Sequence, residues 1–222
     1  MRGIKAPPPW ELQGDGYILL YKFPAVLGGS AGFVDPALQP HFRGGVGAVM
    51  FVDYGETPVG PYHELLFIPG FFDWHGQLFP SISKIYVSTQ ASIVNGRENW
   101  RIPKDEARFE RYAQGQTERL VITLPTGELV SEMSLHRKNL RVPLTTAVLP
   151  PRLRTIVQND PIKSYETTLS GRGWAQPAQL LHARVNPATF PDFTQGRLLT
   201  AVCVRPFHLT FPVPQFGPPI TL

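Results

Sequence analysis

Asn95-Gly96-Arg97-Glu98-Asn99-Trp100-Arg101-Ile102-Pro103-Lys104 packs a glycine, an adjacent Arg–Glu pair and a Pro-Lys step into ten residues. On composition alone it is a surface turn with an ion pair, a contribution below about 1 kcal/mol. Just upstream, Ser88-Thr89-Gln90-Ala91-Ser92-Ile93-Val94 predicts a short helix, with Ser88 or Thr89 as N-cap and Gly96 closing it. Further back, residues 82–87 read as a strand and residues 71–80 as an aromatic loop holding Phe71, Phe72, Trp74 and Phe79. Residues 61–68 and 46–54 are dense apolar strands.

Working outward, residues 1–16 read as an irregular, Pro-rich N-terminal arm, followed by a strand over 17–23 that Pro24 ends. A Gly-rich stretch, 27–32, leads to one short helix over 33–42, interrupted by Pro36 and Pro40. Downstream, 108–113, 118–124 and 128–135 are strands separated by hairpin turns at Gln114-Gly115-Gln116 and Pro125-Thr126-Gly127. Residues 165–169, 178–183 and 198–211 supply the remaining strands. About ten strands with one or two short helices predict a mainly β sandwich or barrel, as a single domain over 1–222.

Composition agrees. Glycine (20) and proline (24) make up 44 of 222 residues, a fifth of the chain against about 12% on average. Both break helices, which excludes a bundle or coiled coil. Hydrophobic residues at 42% and charged residues at 17% exclude disorder. The densest apolar run is cut by Pro69 and Gly70, too short for a membrane span. The net charge of +4 comes from scattered cations with no long basic run, so no nucleic-acid partner is expected. Cys203, the single cysteine, lies in an apolar strand; it reads as a core residue and the chain as a cytoplasmic one without a secretory signal. The six histidines show no i, i+2 or i, i+4 pairing, so no metal site is expected. Neither Gly28-Gly29-Ser30-Ala31-Gly32 nor Gly44-Gly45-Val46-Gly47 fits a nucleotide loop, and no Gly-x-Ser-x-Gly elbow occurs.

The opening stretch resembles the signature of the acetoacetate decarboxylase-like superfamily, Gly-Arg-Glu, three residues, then an apolar residue, Pro and Lys: Gly96, Arg97, Glu98, Ile102, Pro103 and Lys104. Tyr62-His63-Glu64-Leu65 stands about forty residues before the lysine, where the family places its active-site glutamate. Residues 180–191 and 198–212 fit the closing strands less specifically. The resemblance implies an antiparallel, cone-like β-barrel, a homo-oligomer, and a lysine that forms a Schiff base with a keto acid or related carbonyl compound, with no metal or organic cofactor. By carry-over Lys104 is the nucleophile and Glu64 its acid/base partner. Arg97, Arg101, Phe71, Trp74 and Trp100 are the candidate substrate contacts. Gly96, Pro103 and Glu98 are the structural supports, Glu98 as a buried pair with Arg97. Decarboxylation is the leading reaction; aldol–dehydration or cyclisation in secondary metabolism is the alternative, and a non-catalytic barrel for an apolar ligand is the reading from another class.

An amine must be neutral to attack a carbonyl, and with a pKa near 10.4 only about one lysine in 2,500 is neutral at pH 7. Burial among Trp100, Ile102, Phe109 and the aromatic loop, or a nearby Arg97 or Arg101, would lower that pKa. Two positions depart from the family. Asp105 stands where a second lysine follows the nucleophile, although alternation on an extended chain points it away. Asp15 stands where an N-terminal arginine contacts the substrate carboxylate, leaving Arg43 or Arg101 to replace it. These departures favour a larger, more apolar carbonyl compound over acetoacetate.

Overall fold

The computed structural model describes residues 4–221. In chain order the first half comprises β1 (Trp10–Lys22), β2 (Phe42–Gly44), β3 (Val46–Glu56), β4 (Tyr62–Ile68), β5 (Phe71–Trp74), β6 (Gln77–Pro80), β7 (Lys84–Val87) and the helix α1 (Gln90–Trp100). The second half comprises β8 (Lys104–Glu106), β9 (Arg108–Gln114), β10 (Thr117–Thr123), β11 (Leu129–Arg137), β12 (Val142–Thr145), β13 (Thr155–Asn159), β14 (Ser164–Thr168), β15 (Ser170–Val185), β16 (Arg197–Phe211) and β17 (Gln215–Gly217). Ten strands form one nearly closed, barrel-like sheet in the order β8-β7-β4-β3-β1-β16-β15-β11-β10-β9, and β12 adds to β15. Two three-stranded sheets, β13-β14-β17 and β2-β5-β6, stand beside it.

Antiparallel pairing prevails in the large sheet, but β7 and β8 are parallel. The reason lies in the connection: α1 carries the chain back between them, as a parallel pair requires. This crossover is what places Lys104, the first residue of β8, beside β7 and under the helix.

Alternation along the strands sorts side chains between two cores. On β4, Leu65 and Phe67 join Tyr17, Leu19, Phe51, Leu120 and Met133 in one cluster. Tyr62, Leu66 and Ile68 face the other way and pack with Trp10, Leu12, Ile85, Ile93 and Trp100 against α1. Glu64 shares the parity of Tyr62 and Leu66, so it faces the helix side. Burial on both faces explains why β4 reads as a continuous apolar run.

Several expectations change. The first strand begins at Trp10, not residue 17, so of the N-terminal arm only the described residues 4–9 stay outside regular structure. Gly14 and Gly16 lie in that strand with bulges beside them, which hid its alternation. The segment 33–42 is not an α-helix; only the short 3-10 turns Ser30–Gly32 and Gln39–His41 form around it, because Pro36 and Pro40 offer no N–H. The aromatic loop 71–80 is the hairpin β5–β6, turned by His75 and Gly76 at φ 52° and 88°, the two positive values of a tight hairpin turn.

Candidate active site

The helix α1 is built by capping rather than by a strong apolar stripe. Thr89 is its N-cap, with Oγ1 accepting from the Ser92 N–H at 3.3 Å. Gly96 does not end it. The left-handed residue is Arg101 at φ 59°, and the Ile102 N–H returns to the Gly96 carbonyl at 3.3 Å. Trp100 anchors this end: its ring meets Trp10 edge-on at 5.0 Å, and its indole N–H donates to the Pro212 carbonyl at 2.8 Å. Pro103 cannot prolong the helix and leads the chain into β8.

Gly96 stands mid-helix because of what lies against it. A Cβ there would come within 2.7 Å of Lys104 Cδ and 2.8 Å of Cε. Ser92, one turn earlier on the same face, completes the cover. Beneath the helix, β7 separates β8 from β4, so a Lys104–Glu64 contact must span two strand spacings, roughly 10 Å between backbones. A long lysine and a glutamate reaching toward each other achieve it.

The result is a closed polar cluster in an apolar layer. Lys104 and Glu64 are each only 4% exposed. Lys104 Nζ donates to Glu64 Oε2 at 2.9 Å, Ser92 Oγ at 3.0 Å and Tyr62 OH at 3.4 Å, which uses all three of its protons. Tyr54, paired across the sheet with Tyr62, donates to Glu64 Oε1 at 3.4 Å. Phe207 meets the Tyr54 ring edge-on at 5.8 Å. Burial drives the Lys104 pKa down, but the Glu64 carboxylate and the Tyr62 hydroxyl outweigh it and hold the ammonium above its ordinary 10.5. The expected depression is therefore reversed in the resting molecule: burial was foreseen correctly, whereas the ion pair prevails over it. Burial also pushes both phenols up, Tyr62 to about 12 and Tyr54 well above 10, so both remain proton donors.

Other predicted site residues lie elsewhere. Arg97 is exposed and pairs with Asp105 at 2.7 Å. Asp105 also takes Lys84 at 2.7 Å, so its charge is spent on two cations rather than on Lys104. Glu98 is exposed instead of buried in a pair with Arg97; neighbours at i, i+1 on a helix do not face each other. Arg101 pairs with Asp160 at 3.1 Å and Arg43 with Asp73 at 3.4 Å, so neither stands in for the absent arginine at Lys104. Trp74 packs with Phe72, Val34 and Leu38 in a third cluster, and Phe71 lies over Gly45; the hairpin does not cover the lysine. Asp15 sits on the opposite face of β1, bound to Arg111 at 2.7 Å and Arg205 at 3.3 Å. Among the described residues no three His, Cys, Asp or Glu side chains come together as metal ligands, and no helix is long and apolar enough to cross a membrane.

Tyr54, Tyr62 and Ser92 were missed in the sequence. Ser92 had a signal: it falls four residues before Gly96, on the same helix face. Tyr62 had a weaker one, its i, i+2 parity with Glu64.

Solved structures share the fold. Acetoacetate decarboxylase from Legionella pneumophila superposes with a TM-score of 0.72 at 15% identity, over 97% of this chain and 90% of that one. The chain has the acetoacetate decarboxylase-like fold. An acetoacetate decarboxylase-like enzyme from Sphingomonas wittichii gives a TM-score of 0.69 at 10% identity, over 97% and 95% of the two chains. The enduracididine biosynthesis enzyme MppR, in complex with pyruvate, gives 0.67 at 14%, over 96% and 91%. No family model and no curated protein matches the sequence. The likeness is thus one of fold, at 10–15% sequence identity.

Proposed function

We propose that this chain is a lysine-iminium enzyme acting on a small keto acid or related carbonyl compound. The observation that carries the reading is the buried Lys104–Glu64 pair, with Ser92 and Tyr62 on the same amine, in an acetoacetate decarboxylase-like fold. Glu64 does two jobs. It accepts a proton from the ammonium, which frees the amine to attack the carbonyl carbon. It then returns that proton to the carbinolamine hydroxyl, which leaves as water and gives the iminium ion. In a nearly dry site the neutral amine–carboxylic acid pair costs far less, relative to the ion pair, than it would in water. Tyr54 steadies Glu64 through its other oxygen, and the Tyr62 hydroxyl lies within reach of the carbonyl-derived oxygen.

From the iminium, a β-keto acid loses carbon dioxide to leave an enamine; protonation and hydrolysis release the ketone and restore Lys104. The same enamine can attack a second carbonyl compound. MppR, complexed with the condensation product of pyruvate and imidazole 4-carboxaldehyde, lends weight to that alternative. The binding reading rests on the closed cluster itself, in which Glu64, Ser92 and Tyr62 take all three Lys104 protons and Glu64 favours the charged amine.

Enamine formation exchanges the hydrogens beside the carbonyl for solvent deuterium. A panel of ketones and keto acids in D2O, followed by NMR, should show exchange that Lys104→Ala abolishes. If that variant does not fold, Lys104→Met with Glu64→Gln removes the amine without stranding a charge. No exchange with any compound, or equal exchange in the variants, would support the binding barrel instead.

A further inference from the structure

A second polar cluster lies away from Lys104, around a bulge in β16. Arg205 and Pro206 together oppose the single residue Asp15 on β1 and the single residue Trp174 on β15. Such doubled positions re-aim side chains. Beside the bulge lies an open groove of about 560 Å³ lined by Gln116, Arg137, Arg141, Gln176, Arg205 and Pro206, with three guanidiniums and no carboxylate in its wall.

Behind the wall, Glu118 is 1% exposed. It accepts from Arg137 at 2.7 Å, Arg111 at 2.7 Å and Arg205 at 3.5 Å. Asp15 and Asp53 take further bonds from Arg111, and Asp15 also holds Arg205 at 3.3 Å. Three carboxylates thus balance Arg111, Arg137 and Arg205 while fixing the two wall arginines in place. Arg141 is left over: it has no carboxylate partner among the described residues, donates to the Arg205 carbonyl at 3.0 Å and lies over the Trp174 ring at 5.4 Å. Gln116 Oε1 is buried without a hydrogen-bond partner, while its Nε2 meets Asn139 Oδ1.

We propose that this groove binds a small oxyanion, a carboxylate or a phosphate, with Arg141 supplying the uncompensated charge and Arg137 and Arg205 the fixed donors. Guanidiniums already held by buried carboxylates lose little freedom on binding, and their planar forks match oxyanions of both kinds.

Calorimetric titration of the full chain at low ionic strength with inorganic phosphate, and separately with malonate, tests this. The expected result is saturable binding of at least one, weakened by added salt. Tighter phosphate binding assigns a phosphate ligand and tighter malonate binding a carboxylate one. Arg141→Ala, at an exposed position, should weaken binding at least about tenfold, and Arg141→Lys should restore part of it. Melting of the anion-free variants should match the parent, which separates lost binding from lost folding. Undetectable binding of both anions at about 10 mM, or unchanged binding by Arg141→Ala, would overturn the proposal.

Discussion

Lys104 is pulled in two directions by its surroundings. Desolvation disfavours its charge; Glu64 at 2.9 Å restores it. If the carboxylate is the cause, removing its charge must reverse the direction. The pH dependence of selective acylation of Lys104 should have a midpoint above 10.5 in the parent protein and a lower one in Glu64→Gln. A midpoint that stays put would move the cause away from Glu64. Both residues were legible in the sequence through the signature and the upstream Tyr62-His63-Glu64. Their mutual distance was not, because it depends on β7 lying between two strands far apart in the chain. Arg97 and Arg101 were nominated by closeness to Lys104 in the signature and Phe71 and Trp74 as an aromatic loop over it, and the fold sent each to another partner.

At the scale of the element, α1 is both lid and ruler. Its N-cap is ordinary: Thr89→Ala should cost about 1 kcal/mol in denaturant unfolding, with little effect on Lys104. Gly96 is different. Replacing an interior helical glycine with alanine normally gains about 1 kcal/mol of helix propensity. Here the new methyl meets the Lys104 chain at 2.7 Å. Gly96→Ala should therefore retain helix content by circular dichroism yet depress ketone-dependent exchange at least about tenfold, a barrier change near 1.4 kcal/mol. Equal activity would show that the lysine chain yields freely. The sequence placed a helix here correctly but closed it at Gly96, since glycine is the usual terminator; the packing demand of a distant lysine is invisible locally. The strands over 108–113, 118–124 and 128–135 were found by their turns, whereas β8, β12, β13 and β17 went unread and β1 was shortened because its two glycines interrupt the pattern.

For the whole molecule, several buried groups share one sign. Lys104, Tyr54, Tyr62 and Tyr21 all hold their protons more tightly folded than unfolded, Tyr21 and Tyr62 up to about 12. Stability from them is full below the unfolded values of 10.0 to 10.5 and is lost as pH rises through the folded ones. The Tm should be insensitive to these groups up to about pH 9 and fall steadily above pH 10. A Tm that holds to pH 12 would contradict their burial. Alternation and Gly–Pro punctuation made the architecture legible as a turn-rich, mainly β sandwich or barrel of about ten strands, and the family resemblance narrowed it to a barrel. The parallel β7–β8 pair and the side sheets follow from connections that only the folded chain displays.

The central claim is that Lys104 forms an iminium ion. Incubation with a panel of keto acids and ketones, reduction with borohydride and peptide mass analysis tests it most directly. The account predicts a reduced adduct on Lys104, absent from Lys104→Ala and diminished in Glu64→Gln. A panel that leaves Lys104 unmodified, or adducts spread over exposed lysines alone, would contradict it.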